Sequence, residues 1–210
     1  MTTTAGPHGS AAPARPRSLP WTGDEEADRL IAEDATALLI GFVLDQQVTV
    51  QKAFSGPLEL RRRVGTTDAR QLAAMPGGRL ATAFAERPAI HRFPTAMAQR
   101  VQALCAHLVA EYGGDAEAIW RNVDDAGMLW SRLSRLPGFG PMKARTVVRL
   151  LQRQYGVCPP GIEAYLPGYP TLGDVTTPEE LAEYQARKRA HKAELRAAGL
   201  APARPGRGRR

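Results

Sequence analysis

Leu133-Ser134-Arg135-Leu136-Pro137-Gly138-Phe139-Gly140-Pro141-Met142-Lys143-Ala144 is the stretch whose residue types and spacing bear most directly on chemistry. An apolar helical run ends in Leu-Pro-Gly-Phe-Gly, and a second helical run starts at once. Gly138 and Gly140, one residue apart, allow a backbone turn with φ > 0 and leave no side chain over it. Pro141 suits the first turn of a new helix, where its missing N–H costs nothing. The expected result is a tight helical hairpin whose turn amides point outward beside a helix N-terminus. Such a surface fits a phosphate. Phosphate contacts position a protein on DNA without reading its sequence. Ordinary αα-turns share this spacing, and Gly-x-Gly alone does not separate the two.

The residues around this turn resemble those of a known family. Leu136-Pro137-Gly138-Phe139-Gly140-x-x-Lys143-Ala144 looks like the hairpin of the helix–hairpin–helix DNA glycosylase superfamily. Upstream, Leu39-Ile40-Gly41-Phe42-Val43-Leu44-Asp45-Gln46-Gln47-Val48-Thr49-Val50 resembles the end of that superfamily's central helix, nearest to its alkyladenine-type branch. The motifs stand in the family's order and cover roughly residues 34–157. The resemblance implies an all-α, helix–hairpin–helix glycosylase-like bundle in base-excision repair, either one undivided domain or one domain split into two lobes. The iron–sulfur cluster of some members needs four cysteines; this chain has two, so no cofactor is expected.

The same resemblance assigns roles residue by residue. Gln47 stands where the family carries a wedge that fills the gap left by a flipped nucleotide. Gln46 is its structural partner. Gly138, Phe139, Gly140, Lys143 and Arg145 form the expected DNA-binding set, with Phe139 also suited to packing inside the hairpin. Bifunctional members carry a lysine nucleophile two residues after the second hairpin glycine. Met142 occupies that place here, and Lys143 is one step of about 100° further round the helix. The expectation is a monofunctional enzyme without lyase activity, in which Lys143 contacts phosphate. The family's catalytic Asp falls where this chain has Pro159 or Pro160. The candidate carboxylates are therefore Glu163, nearest in sequence, and Asp45, beside the wedge. Either would stabilise the cationic sugar that forms as a glycosidic bond breaks. A noncatalytic DNA-damage or structure-recognition module that has lost the acid is the alternative. An RNA-associated or protein-interaction domain is a third reading.

Composition narrows the classes. Hydrophobic residues make up 43% of 210 residues, enough for a real core and unlike a disordered chain. No apolar run approaches the roughly 20 residues of a membrane span, and the N-terminus lacks a signal-peptide core. Cys105 and Cys158 cannot form a metal site, and His91 and His107 lack ligand-spaced partners. No metal is expected, and the compartment is read as reducing. The net charge is +7, yet residues 185–210 carry nine Lys or Arg against Glu194 alone. The basicity is thus a tail over a nearly neutral body, suited either to nonspecific affinity for nucleic acid or to solubility. The expected partner is damaged duplex DNA, with the protein monomeric, cytoplasmic and nucleoid-associated.

These residues must be positioned by helices. Residues 1–19 read as disordered, 20–176 as the helical domain and 177–210 as a polar helix with a basic disordered tail. Thr22-Gly23-Asp24-Glu25 fits a capping box. Residues 34–45 are apolar almost all round, as in a buried central helix. Helices are further expected over 50–64, 67–75 (Thr67 as N-cap), 79–86, 95–112, 115–121, 126–136, 141–155 and 178–198. Cys158-Pro159-Pro160-Gly161 breaks helix, and 162–176 reads as loop.

Overall fold

The computed structural model of the chain describes residues 15–198. Among them the fold is all-α, with no strand. Nine α-helices follow in order: α1 (Glu25–Glu33), α2 (Ala35–Leu44), α3 (Val50–Val64), α4 (Ala69–Ala74), α5 (Gly77–Ala85), α6 (Pro94–Tyr112), α7 (Ala126–Ser134), α8 (Pro141–Tyr155) and α9 (Pro178–Ala197).

α2 is the axis of the molecule. Every residue from Thr36 to Leu44 is buried, as its unbroken apolar sequence requires. Asp34 opens it by accepting from the Ala37 amide at 3.0 Å. Two glycines let α2 and α3 cross closely. A Cβ on Gly41 would lie 2.4 Å from Phe54 Cδ1, and one on Gly56 would lie 2.5 Å from Leu44 Cδ1. Phe54 thus meets Phe42 and Trp21 edge-on, with ring centroids 5.1 and 4.8 Å away. Trp21 Nε1 donates to the Val175 carbonyl at 3.3 Å, which ties the start of the body to its last loop. The long α6 buries Met97, Val101, Leu104, Cys105 and Leu108.

The structure corrects several expectations. Residues 15–19 belong to the body: Leu19 is fully buried, and Arg15 pairs with Glu117. The remaining disordered segments expected, 1–14 and the basic tail from 199 onward, lie outside the described residues. Asp24 and Asp68, not Thr22 and Thr67, cap α1 and α4, because each carboxylate accepts first-turn amides. Gly77 and Gly78 start α5 instead of separating it from α4. The stretch read as loop contains two 3₁₀ turns, Ile162–Tyr165 and Leu172–Asp174. One apolar cluster runs from Leu19 to Leu181, with a small second cluster of Ala27, Leu30, Ala37 and Leu58. No helix among the described residues is long and apolar enough to cross a membrane.

Candidate functional site

The end of α2, the first turns of α8, the 169–172 loop and α9 converge on one cavity of about 650 Å³. Phe42 and Asp45 line it from α2, and Met142, Lys143 and Thr146 from α8. Tyr169 to Leu172 supply the loop wall, and Tyr184, Arg187, Lys188 and His191 the α9 wall. The loop is held hard against α8: a Cβ on Gly173 would lie 2.6 Å from the Leu150 nitrogen. An Arg149–Asp174 ion pair at 3.3 Å fixes it there.

Asp45 ends α2, its amide bonding to the Gly41 carbonyl at 3.0 Å. Gln46 then turns inward. Its Nε2 donates to the Val43 carbonyl at 2.9 Å, its Oε1 accepts from Arg100, and its own carbonyl faces His91 Nε2 at 3.0 Å. Gln46 is therefore the structural member of the pair. Gln47 is exposed with φ 58°, in the left-handed region that non-glycine residues rarely adopt. Such a conformation persists where the surroundings over-determine it. The three anchors on Gln46 do so here.

The turn between α7 and α8 uses its glycines differently from the sequence expectation. Gly138 has φ 84°, but Gly140 is extended at φ −101°, ψ 175°. Only Gly138 needs glycine's freedom. Gly140 is the N-cap of α8 and offers no side chain, so the first-turn amides stay open. Phe139 is buried, its ring 6.2 Å from that of Phe42, and it packs inward as a core residue.

The side chains expected to contact phosphate are otherwise engaged. Arg145 donates to the Leu166 carbonyl at 3.3 Å and lies 5.3 Å over the Trp130 ring. Lys143 donates to the Gly138 carbonyl at 3.3 Å and lines the cavity. Burial brings its pKa down to about 8; Asp45 opposes the shift and Arg100 adds to it. Met142 lines the same cavity, 70% exposed. The 100° step thus separates the two side chains around α8 without sending Lys143 to another site.

Of the two candidate carboxylates, the structure brings only Asp45 to the cavity. Glu163 is exposed on the first 3₁₀ turn and does not line it. The chain leaves α8 toward α7: Pro160 accepts from the Ala126 amide at 3.0 Å, and Tyr165 stacks on Trp130. Asp174 caps its own 3₁₀ turn and pairs with Arg149. Sequence reasoning missed the α9 wall, although Tyr184, Arg187, Lys188 and His191 repeat at i, i+3, i+4, i+7 and so share one helix stripe. Among the described residues no group of three His, Cys, Asp or Glu side chains is arranged to hold a metal. No protein-family model matches the chain, and no curated protein matches it in sequence.

Proposed function

We propose that this protein is a base-excision repair protein of the helix–hairpin–helix glycosylase type. In this reading it binds damaged duplex DNA through the open amides at the start of α8. Gln47 fills the gap left by an extruded nucleotide, whose base enters the aromatic cavity. Asp45 stabilises the cationic sugar while water attacks, and no lysine nucleophile is used. The observation that carries the reading is Gln47, exposed and held at φ 58° two residues after Asp45, which lines the cavity. A flipping enzyme needs a rigid probe next to a base-sized recess.

A noncatalytic damage- or structure-recognition module is favoured instead by the chain at Cys158–Gly161. That segment carries Pro159 or Pro160, not a carboxylate, at the position the resemblance gives to the family's acid. Base release from duplexes carrying uracil, alkylated or oxidised bases separates the two readings. Release from any of them supports the enzyme. Salt-dependent duplex binding without release supports the module. Absence of duplex binding rejects both.

A further inference from the structure

The α9 wall gives the cavity a chemistry that the proposed reading does not use. Tyr184, Arg187, Lys188 and His191 form one stripe along α9, and this stripe faces the recess. A capping box fixes the start of α9: Thr177 accepts from the Glu180 amide, and Glu180 accepts from the Thr177 amide. Leu181 then seats the helix on the core at 5% exposure. One turn later Tyr184 is half-buried, with Lys188 Nζ 5.6 Å from its ring centre. Arg187 and Lys188 are exposed at the rim. Among the described residues neither they nor Lys143 forms an ion pair with a carboxylate. The cavity therefore has two accessible aromatic rings, Tyr169 on the loop wall and Tyr184 on the α9 wall, one carboxylate at Asp45, and unpaired cations at Lys143, Arg187 and Lys188 among the described residues.

We infer that this cavity binds a nucleoside monophosphate unit. The base lies against the aromatic rings, and the phosphate is held at the rim by Arg187 and Lys188 of α9. A flat π-system of any base stacks on aromatic side chains. Arginine's fork matches phosphate oxygens, and lysine adds a point charge. Asp45 accepts from an N–H on the base or the sugar hydroxyl. The inference rests on the proposed reading for one of two sources of such a unit, a nucleotide extruded from DNA. The other source is a free nucleotide.

The test uses the full chain and titration calorimetry with deoxyadenosine, its 5′-monophosphate and inorganic phosphate. The monophosphate should bind at least about tenfold more tightly than the nucleoside, and inorganic phosphate alone more weakly than either. In R187Q/K188Q that preference should vanish while nucleoside affinity stays unchanged; both positions are exposed, so the fold is not at issue. Tyr184→Ala should weaken nucleoside and monophosphate alike. Equal affinity for nucleoside and monophosphate, or an unaltered preference in R187Q/K188Q, overturns the inference. A duplex with one bulged nucleotide is then used as competitor. Displacement of the monophosphate assigns the site to an extruded nucleotide, and simultaneous binding assigns it to a free one. Monophosphate preference without duplex binding sinks the repair reading and leaves this site standing. Duplex binding without monophosphate preference does the reverse.

Discussion

His91 donates from Nε2 to the carbonyl of Gln46 across 3.0 Å, while its Nδ1 accepts from the Phe93 amide at 3.1 Å. The second contact assigns the tautomer: a ring nitrogen that accepts carries no hydrogen, so the hydrogen is on Nε2. A buried imidazole, 1% exposed, thus clamps the residue before Gln47.

That clamp has a pH dependence. Burial lowers the His91 pKa below its ordinary value, partly opposed by its backbone partners. Its contribution to stability is full above about pH 6.5 and is lost as pH falls through the lower folded value, because the unfolded chain then binds the extra proton. His91→Phe should keep the ring volume, remove the donor to Gln46 and cost about 1–3 kcal/mol. Chemical denaturation at pH 7.5 and 5.5 checks both points. The variant should show a smaller loss between the two pH values than the wild type.

Gln47 holds a conformation that glycine adopts freely. Left-handed backbone costs a non-glycine residue roughly 1–2 kcal/mol, part of which glycine returns through its more flexible unfolded chain. Gln47→Gly should therefore leave Tm unchanged or raise it slightly. It should also weaken binding to a duplex with an extrahelical base at least about tenfold, since the side chain proposed to fill the gap is gone. Undiminished binding would remove Gln47 from the proposed mechanism.

The two hairpin glycines should behave differently. Gly138→Ala forces a Cβ into left-handed backbone and should cost about 1–2 kcal/mol. At Gly140 the backbone is extended, and nothing lies within 4 Å of an added Cβ. Gly140→Asp should cap α8 and add a few tenths of a kcal/mol. Yet its carboxylate would occupy the amides proposed to hold a phosphate and repel that phosphate. Higher stability with lost duplex affinity is the expected pair of results. Full affinity in Gly140→Asp would take the hairpin out of the argument.

Lys143 supplies a second pH signature. Burial brings its amine from the ordinary 10.5 to about 8, so the folded protein disfavours its charge. Below pH 8 that cost is fully present. As pH rises from about 8 toward 10.5 the unfolded chain holds the extra proton, and stability rises. Lys143→Met should be more stable than the wild type at pH 7, with the difference shrinking toward pH 10.5. Matched urea titrations across that range measure it.

Much of the fold was legible because its signals are local. The all-apolar run that became α2 and the helices expected over 95–112 and 141–155 each depend on neighbours in sequence. Caps were harder. Thr22 and Asp24, or Thr67 and Asp68, are alternative first-turn acceptors, and only the backbone path chooses between them. The candidate site was legible only in its local frame, where Gln46 and Gln47 stand together at the end of α2. It was not legible at Glu163, selected by its distance along the chain from the resembling family's acid. The Pro159-Pro160 turn sends that segment to α7 instead. Nor could local pattern place Lys143 beside Asp45, since their proximity depends on how α8 docks against the end of α2.

A breaking glycosidic bond leaves positive charge on the sugar, and a recess walled by aromatic rings screens that charge poorly. A fixed carboxylate close by is then the main source of stabilisation. Asp45 is placed for this by its backbone, which ends α2, and its side chain lines the cavity with no ion pair among the described residues. Asp45→Asn keeps the shape and removes the charge. If the protein releases a base, this variant should lose at least about a hundredfold in single-turnover rate, the scale on which one electrostatic group acts. Its duplex affinity should hold or rise, because a negative charge has left the interface. Glu163→Gln, altering an exposed residue outside the cavity, should retain the wild-type rate. The reverse pattern, with Glu163→Gln inactive and Asp45→Asn active, would mean that bound DNA draws the first 3₁₀ turn into the site and that Asp45 is only the end of α2.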